Sequence, residues 1–241
     1  KKAGPALSKT NYLITEYTCT AERKIIMDSL PAFDFGIITI LPEEMDAAIQ
    51  VLSLHKLPHK FRERIFYAGK VNPQVGGETR RVVCTQTIDQ GESSVINAYH
   101  DMENKYRPKF IFLVGIAGSV LNNQSHKAQN TDERLEFDLC DVVIAKSVID
   151  YELRKETDKG TEHRARIFDI SAESVSIVND FLVMLETEPL TAMEGSKNDM
   201  LHVLFEPIGS GNAVIGNELS EIVIWLKNVN SKVAAVEMEA S

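Results

Sequence analysis

From Phe35 onward, short β-branched runs alternate with stretches of helical period, and this alternation most narrows the folds open to the chain. Strands separated by helices need crossover connections, so they build α/β domains around a mainly parallel sheet rather than sandwiches or bundles. The run Phe35-Gly-Ile-Ile-Thr-Ile-Leu41 predicts a buried first strand. Pro42, Glu43 and Glu44 then open a helix that runs to Leu54, proline suiting a first helical turn. Ile65 to Val71 and Arg80 to Thr87 predict antiparallel strands around a turn-prone segment containing Asn72, Pro73, Gly76 and Gly77. A helix over 91–104 carries Val95, Ala98, Tyr99 and Met102 on one side, and Lys109 to Val114 is a second buried strand ending in Gly115-Ile-Ala-Gly118. Asp141 to Lys146, Val203 to Ile208 and Val233 to Val236 predict further strands, and 171–185 and 218–229 further helices. The segments 122–133, 151–166 and 186–198 show no regular period and are expected to be loops or mixed-charge connections.

A chain of 241 residues suffices for one substantial domain plus an appendage. Residues 1–30 are polar and aperiodic and Pro31 sets them apart, so they are expected to form an N-terminal linker or appendage to a domain over 31–241. The formal charge of -9 argues against general affinity for nucleic acid, whose phosphates reward clustered Lys and Arg. The longest apolar run, Phe110 to Val120, is interrupted by Gly115 and Gly118 and falls short of the ~20 residues of a spanning helix, so no membrane partner is expected. Lys1 and Lys2 are followed by Gly4, Pro5, Ser8 and Thr10 where a signal peptide has its apolar stretch, which predicts a cytoplasmic protein. Cys19, Cys84 and Cys140 are odd in number and lack ligand spacing, as expected of reduced thiols with no metal; Cys84 and Cys140 suit core packing.

Four segments in order, Phe35 to Ala47, Phe110 to Val120, Gly209 to Ile215 and Val236 to Ala240, resemble the superfamily of purine nucleoside phosphorylases and methylthioadenosine/S-adenosylhomocysteine nucleosidases. The resemblance spans residues 34–241, and Ala235-Val-Glu-Met-Glu-Ala240 is its most specific piece. It implies a three-layer α-β-α fold with a central mixed, mainly parallel twisted sheet. It also implies cleavage of the N-glycosidic bond of a purine nucleoside or nucleotide without a cofactor, and a homo-oligomer by analogy.

Breaking a purine's C1′–N9 bond produces an oxocarbenium-like sugar, so a site needs carboxylates that anchor hydroxyls, an activated water or phosphate, and an acid for the base. By the resemblance, Glu44 in Leu41-Pro-Glu-Glu-Met45 activates the attacking water; the competing reading makes Glu43 and Glu44 ordinary helix-dipole residues. Met238 matches a methionine packed at the sugar and Glu239 a carboxylate that accepts from the ribose hydroxyls, with Glu237 near the sugar. Ile116, Ala117 and Gly118 match a strand-end turn where ligands of open α/β sheets lie, with Ile116 standing where relatives often carry Ser or Thr. Val214 and Ile215 match the segment bordering the base, with ordinary core packing as the alternative.

The family's purine-protonating aspartate belongs to a Ser-Asp segment beyond Ser241, so the domain is expected to lack its C-terminal part. The arginines that phosphorylases use for phosphate have no evident match, and Thr87-Ile-Asp-Gln-Gly91 puts an acid where an anion site wants none, which favours water as nucleophile. Arg154, Lys155, Lys159, His163, Arg164 and Arg166 gather in one segment of an acidic chain. Its place is similar to a loop near the ligand's 5′ end, which makes Arg154, Lys155, His163, Arg164 and Arg166 candidate phosphate ligands. The alternative is a solvated loop in which Glu152, Glu156, Asp158 and Glu162 pair with those bases. The arrangement resembles phosphorylase-like domains of multidomain bacterial immune effectors. A non-catalytic nucleotide-sensing domain and a phosphate-dependent phosphorylase stay open as alternatives.

Overall fold

In a computed structural model, the described residues are 33–72, 77–120, 141–158, 160–190, 201–212, 215 and 220–240. The linker expected over 1–30, the loop over 122–133, Cys19, Cys140, Lys159 and Val214 lie outside them.

Among the described residues the strands sort into two five-stranded sheets and a two-stranded hairpin. In the first, β1 (Phe35–Thr39) lies between β4 (Arg80–Gln86) and β5 (Phe110–Leu113), parallel to both. β3 (Phe66–Val71) and the two-residue β2 (His55–Lys56) extend it antiparallel beyond β4. In the second, β11 (Val203–Ser210) lies between β7 (Val142–Asp150) and β12 (Ala235–Glu237), again parallel to both. β10 (Arg166–Asp169) and β6 (Gly118–Ser119) close its edges antiparallel. Each sheet is thus parallel at its centre and antiparallel at its rim, the mixed α/β arrangement expected, carried by two sheets. The stretch from β5 to β6 supplies an edge strand to each sheet and joins them.

Alternation along the first sheet explains its layers. Ile37, Cys84 and Tyr67 lie in one cross-strand row and pack with Met45, Ala48 and Ile49 of α1 (Pro42–Val51). Their neighbours Ile38, Val83 and Phe66 point the other way, onto Ala98 and Met102 of α2 (Glu92–Tyr106). Burial pushes the Cys84 thiol up to about 12, consistent with a packing role. Gly36 lets α2 approach: a Cβ there would stand 2.4 Å from Met102 Sδ and 2.9 Å from Pro108 Cγ. In the second sheet Ile149, Tyr151 and Val236 pack on Val223 and Leu226 of α4 (Glu221–Val229). Ser171 and Ser220 cap α3 (Ala172–Thr187) and α4, each accepting from the backbone N–H three residues on.

β7 runs four residues beyond its expected end through a bulge. The register passes from Glu206↔Ala145 to Ile208↔Val148, leaving Lys146 and Ser147 opposite Pro207. Proline cannot donate to a ladder, and the bulge lets a central strand carry one. The extra residue also changes parity, so Val143, Ala145 and Val148 all serve one core cluster.

Residues 151–166, expected to be irregular, include a hairpin of β8 (Arg154–Thr157) and β9 (Gly160–His163), after which β10 begins. A ribbon whose sequence is nearly all charged and polar has no apolar alternation to reveal it.

Candidate active site

The parallel strands of both sheets end on one rim, where open α/β sheets commonly bind ligands. Glu44 follows β1, Gly91 follows β4, Ile116 follows β5, Tyr151 and Glu152 follow β7, and Gly211 and Asn212 follow β11, while Glu237 to Glu239 end β12.

Glu44 occupies the third position of α1. Its Oε2 accepts from the backbone N–H groups of Ile40 and Leu41, both at 2.8 Å, which is the carboxylate half of a capping box. Its Oε1 accepts from Ile116 N at 2.8 Å, tying the end of β1 to the turn after β5. A carboxylate offers about four acceptor positions, and these three bonds use three of them. Glu43, next door, is exposed on the helix.

The Val236 to Ala240 segment folds into a hook. Glu237 turns its carboxylate inward, accepting from Glu239 N at 2.7 Å and Ala240 N at 3.1 Å. The buried Ser210 hydroxyl hydrogen-bonds the same carboxylate and accepts from Ala240 N at 3.0 Å. Glu237 is therefore the brace of the hook. Glu239 points the other way: Oε1 accepts from Gly91 N at 3.4 Å and Oε2 from Met238 N at 3.1 Å. These long bonds leave it acceptor capacity for two vicinal hydroxyls. Gly91 sits at φ 94°, a conformation glycine reaches without strain, and this aims its N–H at Glu239.

Tyr151 is buried and joins three strand ends. Its hydroxyl donates to the Gly211 carbonyl at 3.0 Å and lies 3.5 Å from the Glu237 carbonyl, while its N–H donates to Ser210 O at 3.0 Å. Beside it, Asp150 Oδ1 accepts from Glu152 N at 2.9 Å and Glu152 Oε1 accepts from Asn212 N at 2.7 Å.

This rim is acidic, and burial raises the carboxyls of Glu237 and Glu92 above the usual range. Glu239 adds to the rise at Glu237 and Asp150 at Glu92, with Arg166 opposing at Glu92. A carboxyl with a raised folded pKa binds more protons folded than unfolded, so its contribution is fully present below about 4.5 and is lost as pH rises through the folded value. Asp34 has the opposite sign, its carboxyl lowered chiefly by the Arg81 N–H, and its contribution is lost only as pH falls below about 3.8. Glu92→Gln is therefore expected to make the fall of unfolding free energy from pH 4.5 upward shallower. Denaturant titrations at stepped pH measure this, and an unaltered slope refutes the assignment.

The structure places Ile116, Ala117 and Gly118 at the rim with their residues exposed; Ile116 contributes its N–H to Glu44, and Gly118 pairs with Val236 in β6. Met238 stands half-buried between the two glutamates. Ile215 packs against the core cluster of Tyr151, Val223 and Leu226, the alternative weighed for it above. The basic residues do not form one patch. Arg154 faces His163 across the hairpin ladder and Lys155 faces Glu162, so the two pairs lie on opposite faces. The hairpin also leans on α4, with the His163 and Trp225 ring centroids 5.2 Å apart. Arg164 donates its N–H to Leu153 O at the hairpin's base, and Arg166 opens β10 opposite Asp150. Sequence reasoning does not single out Tyr151, Gly91, Glu152 or Asn212. Their only signal is position, each lying in the segment that follows a strand.

A cavity of about 240 Å³ lies behind α1, lined by Pro42, Met45, Arg64, Tyr67, Gln86 and Ile88 among others; neither Glu44 nor Glu239 lines it. Among the described residues no group of three or more His, Cys, Asp or Glu is placed to hold a metal ion, and no helix is long and apolar enough to cross a membrane.

The fold is similar to that of nucleosidases of known structure. A mutant futalosine hydrolase of Helicobacter pylori strain 26695 superposes with a TM-score of 0.57 at 14% identity, covering 88% of this chain and 82% of that one. S-adenosylhomocysteine nucleosidase from Streptococcus pyogenes, in complex with 5-methylthiotubericidin, gives 0.56 at 19% identity over 88% and 75%. The Campylobacter jejuni 5′-methylthioadenosine/S-adenosyl homocysteine nucleosidase gives 0.57 at 14% identity over 87% and 77%. No family model and no curated protein matches the chain. At these identities the likeness is one of fold.

Proposed function

We propose that this chain is a purine nucleosidase that cleaves the C1′–N9 bond with water, within a domain over 31–241. The observation that carries the reading is the pair of carboxylates at the strand ends, Glu44 and Glu239, each held by backbone N–H groups yet keeping acceptor capacity. Glu44 Oε1 orients a water and takes its proton as the oxygen bonds to C1′. The purine departs with the bonding pair and is protonated from solvent. Glu239 accepts from the 2′- and 3′-hydroxyls and favours the positive charge that develops on the sugar. Neighbours of this fold support the substrate class: one Helicobacter pylori structure has 5′-methylthioadenosine in its active site.

A nucleotide substrate would meet Arg154 and His163, which share one face of the hairpin. Arg166 is opposed by Asp150 and Glu92, which argues against its serving a phosphate. A sensor without turnover is favoured by one observation, that Glu44 already serves as a helix cap.

Base release from adenosine, methylthioadenosine, AMP and ATP, with and without inorganic phosphate, tests the reading. Release independent of phosphate is expected. Glu239→Gln should weaken KM for the ribonucleoside by about tenfold, the worth of one hydrogen bond to a charged group. Ligand binding with no release would favour the sensor; phosphate-dependent release would make the protein a phosphorylase.

A further inference from the structure

We infer that Tyr151 is a positioning residue that sets the direction of the Glu239 carboxylate, and through it the preference for ribose over 2′-deoxyribose; this rests on the nucleosidase reading. Glu239 hangs on a hook with little repetitive structure of its own, since β12 ends at Glu237. The hook is held from inside by the Glu237 carboxylate on Glu239 N and Ala240 N, and from β11 by Ser210 on Ala240 N. What fixes β11 against β12 beyond their last ladder pair, Ser210↔Glu237, is the Tyr151 neighbourhood. There, Gly211 N donates to the Glu237 carbonyl at 3.3 Å, and the phenol hydroxyl donates to the Gly211 carbonyl while reaching the Glu237 carbonyl.

The ring adds a steric constraint. A Cβ on Gly211 would lie 2.3 Å from Tyr151 Cε2, so the backbone of β11 rests directly on the aromatic face. Tyr151 is itself immobilised by packing against Ile149, Val223 and Leu226. Its phenol is held above the usual range by burial and by the surrounding carboxylates, so it stays protonated and remains a donor. Tyr151 acts by keeping the ends of β11 and β12, and the hook that follows, in register.

The test uses formycin A and 2′-deoxyformycin A, whose carbon-linked bases cannot be hydrolysed. The intact chain is titrated with each, and amide hydrogen exchange is followed at Gly211, Glu239 and Ala240. Wild type should bind the ribo form about tenfold or more tightly, since the missing 2′-hydroxyl removes one hydrogen bond to a carboxylate. Tyr151→Phe keeps the ring and loses the donor. It should erase most of that ratio and speed exchange at the three amides, with overall unfolding little changed. Gly211→Ala, which drives a methyl into the ring, should do the same by moving the carbonyl, and it decides the matter if the Phe variant does not fold. A folded variant of either kind that keeps both the ratio and the exchange pattern overturns the inference. If wild type does not distinguish the two ligands while Tyr151→Phe still speeds exchange, positioning by Tyr151 stands and the ribose-anchoring role of Glu239 falls.

Discussion

Exchanging Glu44 for Gln is expected to slow base release by about 10²–10⁴-fold, the range that a positioned general base contributes. The substitution does two separable things. It removes the group that takes the water's proton, and it exchanges one acceptor oxygen for an NH₂ that faces backbone donors, since the carboxylate accepts from Ile40, Leu41 and Ile116. The second effect should lower stability by about 1–2 kcal/mol, the worth of a helix cap. Glu43→Gln is the matching control, because Glu43 shares the helix N-terminus but is exposed. It should leave both rate and stability close to wild type. Rates measured well below the melting temperature separate the outcomes: a Glu44→Gln enzyme that is less stable but equally fast would reduce Glu44 to a structural cap.

The same residue shows what a sequence can and cannot disclose here. Proline and two acids after a β-branched run identify the start of α1, and the capping geometry agrees with that local chemistry. That Glu44 also reaches Ile116, more than seventy positions away, is a product of tertiary packing. The strands β1, β4 and β11 are legible because burial selects Ile, Val, Phe and Cys, whereas β5, expected to be buried, keeps its apolar run at the sheet's edge with Phe112 and Val114 exposed. The two-residue strands β2 and β6 are not, since so short a ladder leaves no period to read. The end of β7 is obscured by a bulge that shifts its apolar parity midway. The Glu237 to Glu239 motif is legible as a pair of acids, but which one faces inward depends on Ser210 and the turn of the hook. The basic segment reads as one cluster in one dimension, and the hairpin then sends Arg154 and Lys155 to opposite faces.

Asp101→Asn is expected to destabilise the protein by about 3–5 kcal/mol, because it strands a buried guanidinium. Arg64 is 3% exposed; its Nε lies 3.3 Å from Asp101 Oδ2 and its Nη1 donates to the Gln86 carbonyl at 2.7 Å. Arg62 also approaches Asp101, at 3.5 Å, but its side chain is 67% exposed and solvent screening makes it a poor substitute. The pair holds a tight turn in which Arg62 and Glu63 take φ values of 48° and 67°, a conformation that non-glycine residues adopt at a cost. Phe61 and Arg64 close that turn by exchanging backbone hydrogen bonds at 3.0 and 2.9 Å. Because Gln86 is the last residue of β4, loosening Arg64 releases the segment running through Thr87 to Gly91, whose N–H meets Glu239. A loss of ribonucleoside affinity should therefore accompany the loss of stability. Arg64→Met combined with Asp101→Leu separates the two, since replacing a whole buried ion pair by apolar groups of similar volume is often close to neutral. Thermal unfolding of the double variant should recover most of what Asp101→Asn loses, while affinity stays reduced because Gln86 O still lacks its donor. Full recovery of both would mean that the arginine pays only for its own burial and has no part in holding the end of β4.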